Sequence, residues 1–76
     1  MKVSIIPSDG IVVLDGVAKK GLDLNFMSDV HAVQWFDTWG DVERIDANRQ
    51  HTNEHITSIA PYQAAIDAWH AAPSPE

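Results

Sequence analysis

Short apolar runs separated by turn residues occupy the first half of the chain, and this pattern restricts it to short strands. Lys2–Ile6 is the first run, and it ends at Pro7, which cannot donate a hydrogen bond to a sheet. The β-branched run Ile11–Leu14 is followed directly by Asp15-Gly16, a pair typical of a two-residue hairpin turn. Val17–Lys19 is therefore predicted to return as a strand, with Lys19-Lys20 protecting the sheet edge.

A second hairpin is predicted over residues 30–45. Val30–Phe36 has the pattern of a central strand, with His31, Val33 and Trp35 on one face. Residues 37–40 then supply a turn, and residues 41–45 form the antiparallel partner. The polar run over 46–53 is predicted to be a solvated loop without core residues.

The C-terminal part carries the pattern of one amphipathic helix. Ile59, Tyr62, Ile66 and Trp69 recur at helical spacing, and Ser58 is a candidate N-cap. The sequence thus predicts an α+β fold, in which a small antiparallel sheet of two hairpins, with four or five short strands, is covered by one C-terminal helix. Residues 1–72 are predicted to form a single domain, and residues 73–76 a frayed tail.

The composition of the chain excludes several classes of function. The chain has 76 residues and no cysteine, which excludes disulfides, thiol catalysis and cysteine-based zinc sites. A core this small is marginal, so a homo-oligomer is one route to added stability. The longest apolar runs are far shorter than the ~20 residues that cross a bilayer, so no membrane insertion is expected. Eleven acidic residues against five basic ones argue against nucleic acid as a ligand.

One run has the spacing of a metal motif. His51, Glu54 and His55 match the H-x-x-E-H pattern, in which two histidines one helical turn apart hold zinc. A polar loop in a short chain offers neither the helix nor the third ligand that such a site needs. His51 and His55 are therefore only weak metal candidates, and the sequence predicts no catalytic residue, no cofactor and no enzymatic activity.

Trp39 is the most informative candidate for an interface. It lies in the predicted turn of the second hairpin, where a large aromatic is either folded back on the sheet or exposed as a binding anchor. Asp37 and Asp41 flank it and complete the candidate interface. The net charge of −6 is interpreted mainly as solubility, since such a value is ordinary for a small domain.

The chain resembles a group of short proteins encoded by tailed bacteriophages and prophages of Gram-negative bacteria, often beside tail-fibre genes. The resemblance spans nearly the whole chain. It rests on Met1-Lys2-Val3-Ser4-Ile5-Ile6-Pro7-Ser8-Asp9-Gly10, Val13-Leu14-Asp15-Gly16, Gly21-Leu22-Asp23-Leu24, Val30-His31-Ala32-Val33-Gln34-Trp35, Asn53-Glu54, Ile56-Thr57-Ser58, Tyr62-Gln63 and Ile66-Asp67-Ala68-Trp69. The stretch Phe36-Asp37-Thr38-Trp39 departs from the more polar, glycine-containing turn expected there.

This resemblance implies a non-enzymatic tail-associated accessory protein, such as a tail-fibre assembly factor or chaperone. Its partner would be a phage tail or tail-fibre protein, met in the host bacterial cytoplasm during assembly or in the virion tail. The alternative is a small acidic phage inhibitor of a host defence or regulatory protein, acting by charge complementarity. A third hypothesis, a metal-dependent enzyme, rests only on His51, Glu54 and His55.

Overall fold

A computed structural model describes residues 1–24, 30–45 and 48–73, and these residues form an antiparallel sheet with one helix. The sheet has six strands in the order β3-β2-β1-β4-β5-β6. The strands are β1 (Lys2–Ile6), β2 (Ile11–Leu14), β3 (Val17–Lys19), β4 (Val30–Phe36), β5 (Gly40–Ile45) and β6 (His51–Ile56), and the helix is α1 (Gln63–Ala71). Short 3₁₀ turns over Pro7–Asp9 and Ala60–Tyr62 precede β2 and α1.

The α+β class with a single C-terminal helix is confirmed, but the predicted strand count of four or five is too low. The missing strand is β6, which pairs along its whole length with β5, from Gly40 opposite Ile56 to Ile45 opposite His51. Its sequence is polar because it lies at the edge of the sheet, where both faces are largely solvated. A strand of this kind lacks the apolar alternation by which strands are recognised, so the prediction of a loop over 46–53 is wrong for residues 51–53. Residues 46–47 lie outside the described part.

The predicted turn at Asp15-Gly16 joins β2 to β3. Both residues have positive φ, 48° and 86°, as a two-residue type I′ turn requires. The turn is also tied to β1, because the Lys2 N–H donates to the Asp15 carboxylate over 2.8 Å and the Asp15 N–H donates to the Lys2 carbonyl over 2.8 Å. Asp15 therefore fixes the start of β1 as well as the hairpin.

The core lies between one face of the sheet and α1. Alternate residues of the strands point to this face, and the register aligns them in rows, as with Ile5 between Val12 and Val33. The buried apolar residues are Val3, Ile5, Val12, Leu24, Val30, Val33, Trp35, Val42, Tyr62, Ala65 and Ile66. We call this side the covered face and the opposite side the open face.

Helix α1 and the segment that precedes it from Ile59 present the predicted stripe to the covered face. Tyr62 and Ile66 are buried, while Ile59 and Trp69 pack against the core with part of their surface exposed. The prediction that Ser58 is the N-cap is wrong, because Pro61 lies in a 3₁₀ turn that separates Ser58 from α1; the Ser58 hydroxyl only accepts a hydrogen bond from the Ala60 N–H over 3.2 Å. Among the described residues, no helix combines the length and the apolar character needed to cross a membrane. Of the predicted frayed tail, residues 74–76 lie outside the described part.

Candidate functional site

The open face carries several polar and aromatic side chains of the second half of the chain. Residues that pair across β4, β5 and β6 share a face, so the register defines which side chains lie beside one another. The members on these three strands are Ala32, Gln34, Phe36, Asp41, Glu43, Ile45, His51, Asn53 and His55. Two groups on this face form candidate sites, one at each end of the three strands, and each includes one residue outside these pairs, Trp39 or His31.

Trp39 lies in the turn between β4 and β5, and its ring contacts two neighbouring rings. The Phe36 N–H donates to the Trp39 carbonyl over 2.7 Å and closes this turn. The Trp39 ring lies 4.7 Å from that of Phe36 and stacks on the imidazole of His55 at 5.5 Å, with 26° between the planes. Trp39 nevertheless remains 42% exposed and Phe36 40% exposed. The Trp39 ring is thus folded back on side chains of β4 and β6 and is still partly exposed, so it has features of both alternatives.

The carboxylates on either side of Trp39 have different partners. The N-terminal ammonium group of Met1 donates a hydrogen bond to Asp37, which lowers the pKa of this carboxyl and raises the pKa of the amine. Asp41 lies instead beside His55, with 3.9 Å between Oδ1 and Nδ1. We define the Trp39 patch as Phe36, Trp39, Asp41 and His55. Asp37 lies at its margin and is engaged by the first residue.

A second group, His31, Glu43 and His51, lies at the other end of the open face. Each residue comes from a different strand, β4, β5 and β6 respectively. The Nδ1 atom of His51 lies 2.5 Å from Oε1 of Glu43, and the two imidazole rings meet edge to face at 5.3 Å. One ligand atom from each residue lies within 4.8 Å of the other two. We call this group the two-histidine cluster.

A shift in strand register places His31 in this cluster. Val30 pairs with Arg44 and Ala32 with Glu43, so two residues of β4 oppose one residue of β5 and His31 is the additional one. The prediction that His31 shares a face with Val33 and Trp35 is therefore wrong. Val33 and Trp35 are buried, whereas His31 is exposed and contacts His51.

The H-x-x-E-H run does not form the motif that its spacing suggests. It lies in β6, where neighbouring residues alternate between faces, so Glu54 points away from His51 and His55. The Glu54 carboxylate lies instead beside Arg44, with 3.8 Å between Oε1 and a guanidinium nitrogen. Four residues along a strand span about 13 Å, so the two histidines cannot bind one ion. The cluster around His51 instead uses His31 and Glu43, which sequence reasoning missed because only strand pairing brings them together.

Comparison of the chain with protein-family models, with curated proteins and with solved structures gave no match in any of the three.

Proposed function

We propose that this chain is a non-enzymatic, phage tail-associated accessory protein that binds a tail or tail-fibre protein through the Trp39 patch. The observation that carries the proposal is the Trp39 ring, which is 42% exposed although its neighbours hold it in place. Tryptophan is enriched among the residues that dominate binding energy at protein interfaces. The tail assignment itself rests on the resemblance in sequence.

The geometry of the patch suits protein binding. Contacts with Phe36 and His55 orient the indole before a partner arrives, which lowers the entropy lost when the side chain is immobilised. Asp41 and His55 supply polar groups beside the aromatic surface, in the arrangement of a polar rim around an apolar centre. The patch can therefore cover apolar surface on another protein without a large conformational change.

The neighbouring edge of the sheet extends this surface. His55 belongs to β6, whose outer edge has no paired strand among the residues described here. An extended segment of a partner could add to such an edge by main-chain hydrogen bonds. The proposed mechanism is holding: the patch and the β6 edge cover apolar surface of a fibre protein until assembly of the fibre buries it.

The test is co-expression with a phage tail-fibre protein, chosen from the genes that neighbour this one, followed by calorimetry on the purified pair. Wild-type protein should bind with weak salt dependence, because apolar contacts dominate the patch. Trp39→Ala should weaken binding at least about tenfold, as loss of a central aromatic does. Val17→Ala is the matched control, since Val17 is equally exposed, at 43%, on the opposite edge strand β3.

Each alternative result rejects a defined part of the proposal. Absence of binding by the wild-type protein rejects the tail-fibre partner. Equal binding by the Trp39→Ala and Val17→Ala variants rejects the patch as the interface. Affinity for the fibre protein that falls steeply with salt rejects apolar contact as the basis of binding; the acidic inhibitor predicts such salt dependence for a basic host protein instead.

A further inference from the structure

The two-histidine cluster has the composition of a transition-metal site. Imidazole nitrogen is a preferred donor for zinc, copper and nickel, and one carboxylate oxygen with two imidazoles is a known three-ligand set for Zn²⁺. Calcium and magnesium prefer sites made of oxygen atoms alone. His31, Glu43 and His51 therefore favour a late first-row transition metal.

The distances within the cluster suit such an ion. Zn²⁺ bonds of about 2.0–2.2 Å in a tetrahedron place ligand atoms about 3.3–3.6 Å apart. The candidate atoms lie within 4.8 Å of one another, and His51 Nδ1 and Glu43 Oε1, which share a hydrogen bond of 2.5 Å, would move about 1 Å apart to reach this spacing. Small side-chain rotations on an exposed face would bring all three to bonding distance of a shared centre, while the backbone stays in place.

The backbone also presents the three residues together. Pairing of β4 with β5 and of β5 with β6 holds their Cα atoms in fixed positions, and the register shift at His31 turns its side chain towards His51. Because the fold already holds the three ligand residues side by side, little conformational entropy is lost when the ion binds. The net charge of −6 further favours a cation.

We propose that His31, Glu43 and His51 bind one Zn²⁺ ion on the open face, with the fourth position of the tetrahedron available to water. The ion links the edge strand β6 to β5 and β4. It stabilises the folded state because the three ligands lie far apart in the unfolded chain. This site is separate from the Trp39 patch and needs no partner protein.

The experiment measures Zn²⁺ binding to the isolated chain, produced without a polyhistidine tag and freed of metal by a chelator. Titration calorimetry should give one ion per chain, and Zn²⁺ but not Mg²⁺ should raise the melting temperature. Glu43→Gln, His31→Ala and His51→Ala should each weaken Zn²⁺ binding at least about tenfold. Co²⁺ in place of Zn²⁺ should give the visible absorption of a tetrahedral site, and each substitution should abolish it.

His55→Ala is the matched control, because His55 is an exposed histidine on the same strand and the same face, about 13 Å from His51. This variant should bind Zn²⁺ like the wild type. The proposal is overturned if the wild type binds no stoichiometric Zn²⁺, or if His55→Ala weakens binding as much as His51→Ala does. Circular dichroism of each variant separates loss of ligands from loss of fold. Since no partner is present, neither result depends on the tail-fibre proposal.

Discussion

Two glycines with left-handed backbone occupy turns that differ in how crowded they are. Gly10 has φ of 63°, its N–H donates to the Pro7 carbonyl, and a Cβ atom there would lie 2.6 Å from the Leu22 carbonyl oxygen. Gly16 has φ of 86°, but no atom lies within 4 Å of the position that its Cβ would take. The two positions therefore separate backbone strain from steric overlap.

Alanine at these two positions should destabilise the protein to different extents. Gly16→Ala is expected to cost about 1–2 kcal/mol, the strain of an L-residue in the left-handed region. Gly10→Ala should cost about 1–3 kcal/mol more, because the chain at Leu22 must also move. Urea denaturation of both variants measures the difference. Equal free energies of unfolding would show that the segment at Leu22 yields without cost.

The sequence predicted the turn at Asp15-Gly16 but not the register shift at His31. Asp15-Gly16 predicts its turn because few dipeptides accept positive φ at both positions, and both residues have positive φ in the structure. The register shift at His31 has no comparable signal. It depends on how β4 aligns with β5, a property of two segments that the residues 30–36 alone do not encode. The two-histidine cluster was missed for this reason.

A single lysine connects the edge strand β3 to the C-terminal end of α1. Lys19 is only 8% exposed, and its ammonium group donates to the carbonyls of Trp69 and Ala72 over 2.8 and 2.9 Å. The same group lies 3.9 Å from the centre of a Trp69 ring. The Trp69 indole N–H in turn donates to the Val17 carbonyl over 2.9 Å. Lys19 thus caps the C-terminal end of α1, whereas the sequence predicted that it protects the edge of the sheet.

Removal of this charge should loosen the contact between β3 and α1. Lys19→Met keeps most of the aliphatic stem but loses both hydrogen bonds and the favourable charge at the helix end, so a loss of about 1–3 kcal/mol is expected. Lys20→Met, at the exposed neighbouring position, should change the free energy of unfolding by less than about 0.5 kcal/mol. Both are measured by urea denaturation. A similar effect of the two substitutions would show that Lys19 acts only through net charge.

At the scale of elements, predictability followed the strength of the apolar pattern. Strands β1, β2, β3 and β4 have apolar runs bounded by turn residues, and the structure places strands over those runs. Tyr62 and Ile66 marked the buried side of the C-terminal helix, although Pro61 places a 3₁₀ turn before α1 begins at Gln63. Strand β6 is held by pairing with β5, and such tertiary pairing overrides weak local propensity.

At the scale of the whole molecule, the described residues form one core on one side of a six-stranded sheet. Helix α1 covers one face, while Ile6, Ile11 and Val13 lie half-buried on the open face. A chain of 76 residues is expected to have a free energy of unfolding of about 4–11 kcal/mol, so each residue of the core carries a large share of it. In the described part of the chain no helix covers the open face, which is the surface proposed for the partner and the ion.

Two adjacent isoleucines on β1 test whether only one face of the sheet carries the core. Ile5 is 0% exposed on the covered face, and Ile6 is half-buried on the open face opposite Ile11. Ile5→Ala should cost about 2–5 kcal/mol, because it removes buried methyl groups and leaves a cavity. Ile6→Ala should cost less, about 1–2 kcal/mol, since part of the Ile6 surface stays in water and no closed cavity is left. Urea denaturation at several protein concentrations distinguishes the remaining case: a large, concentration-dependent cost for Ile6→Ala would mean that a second copy of the chain covers the open face.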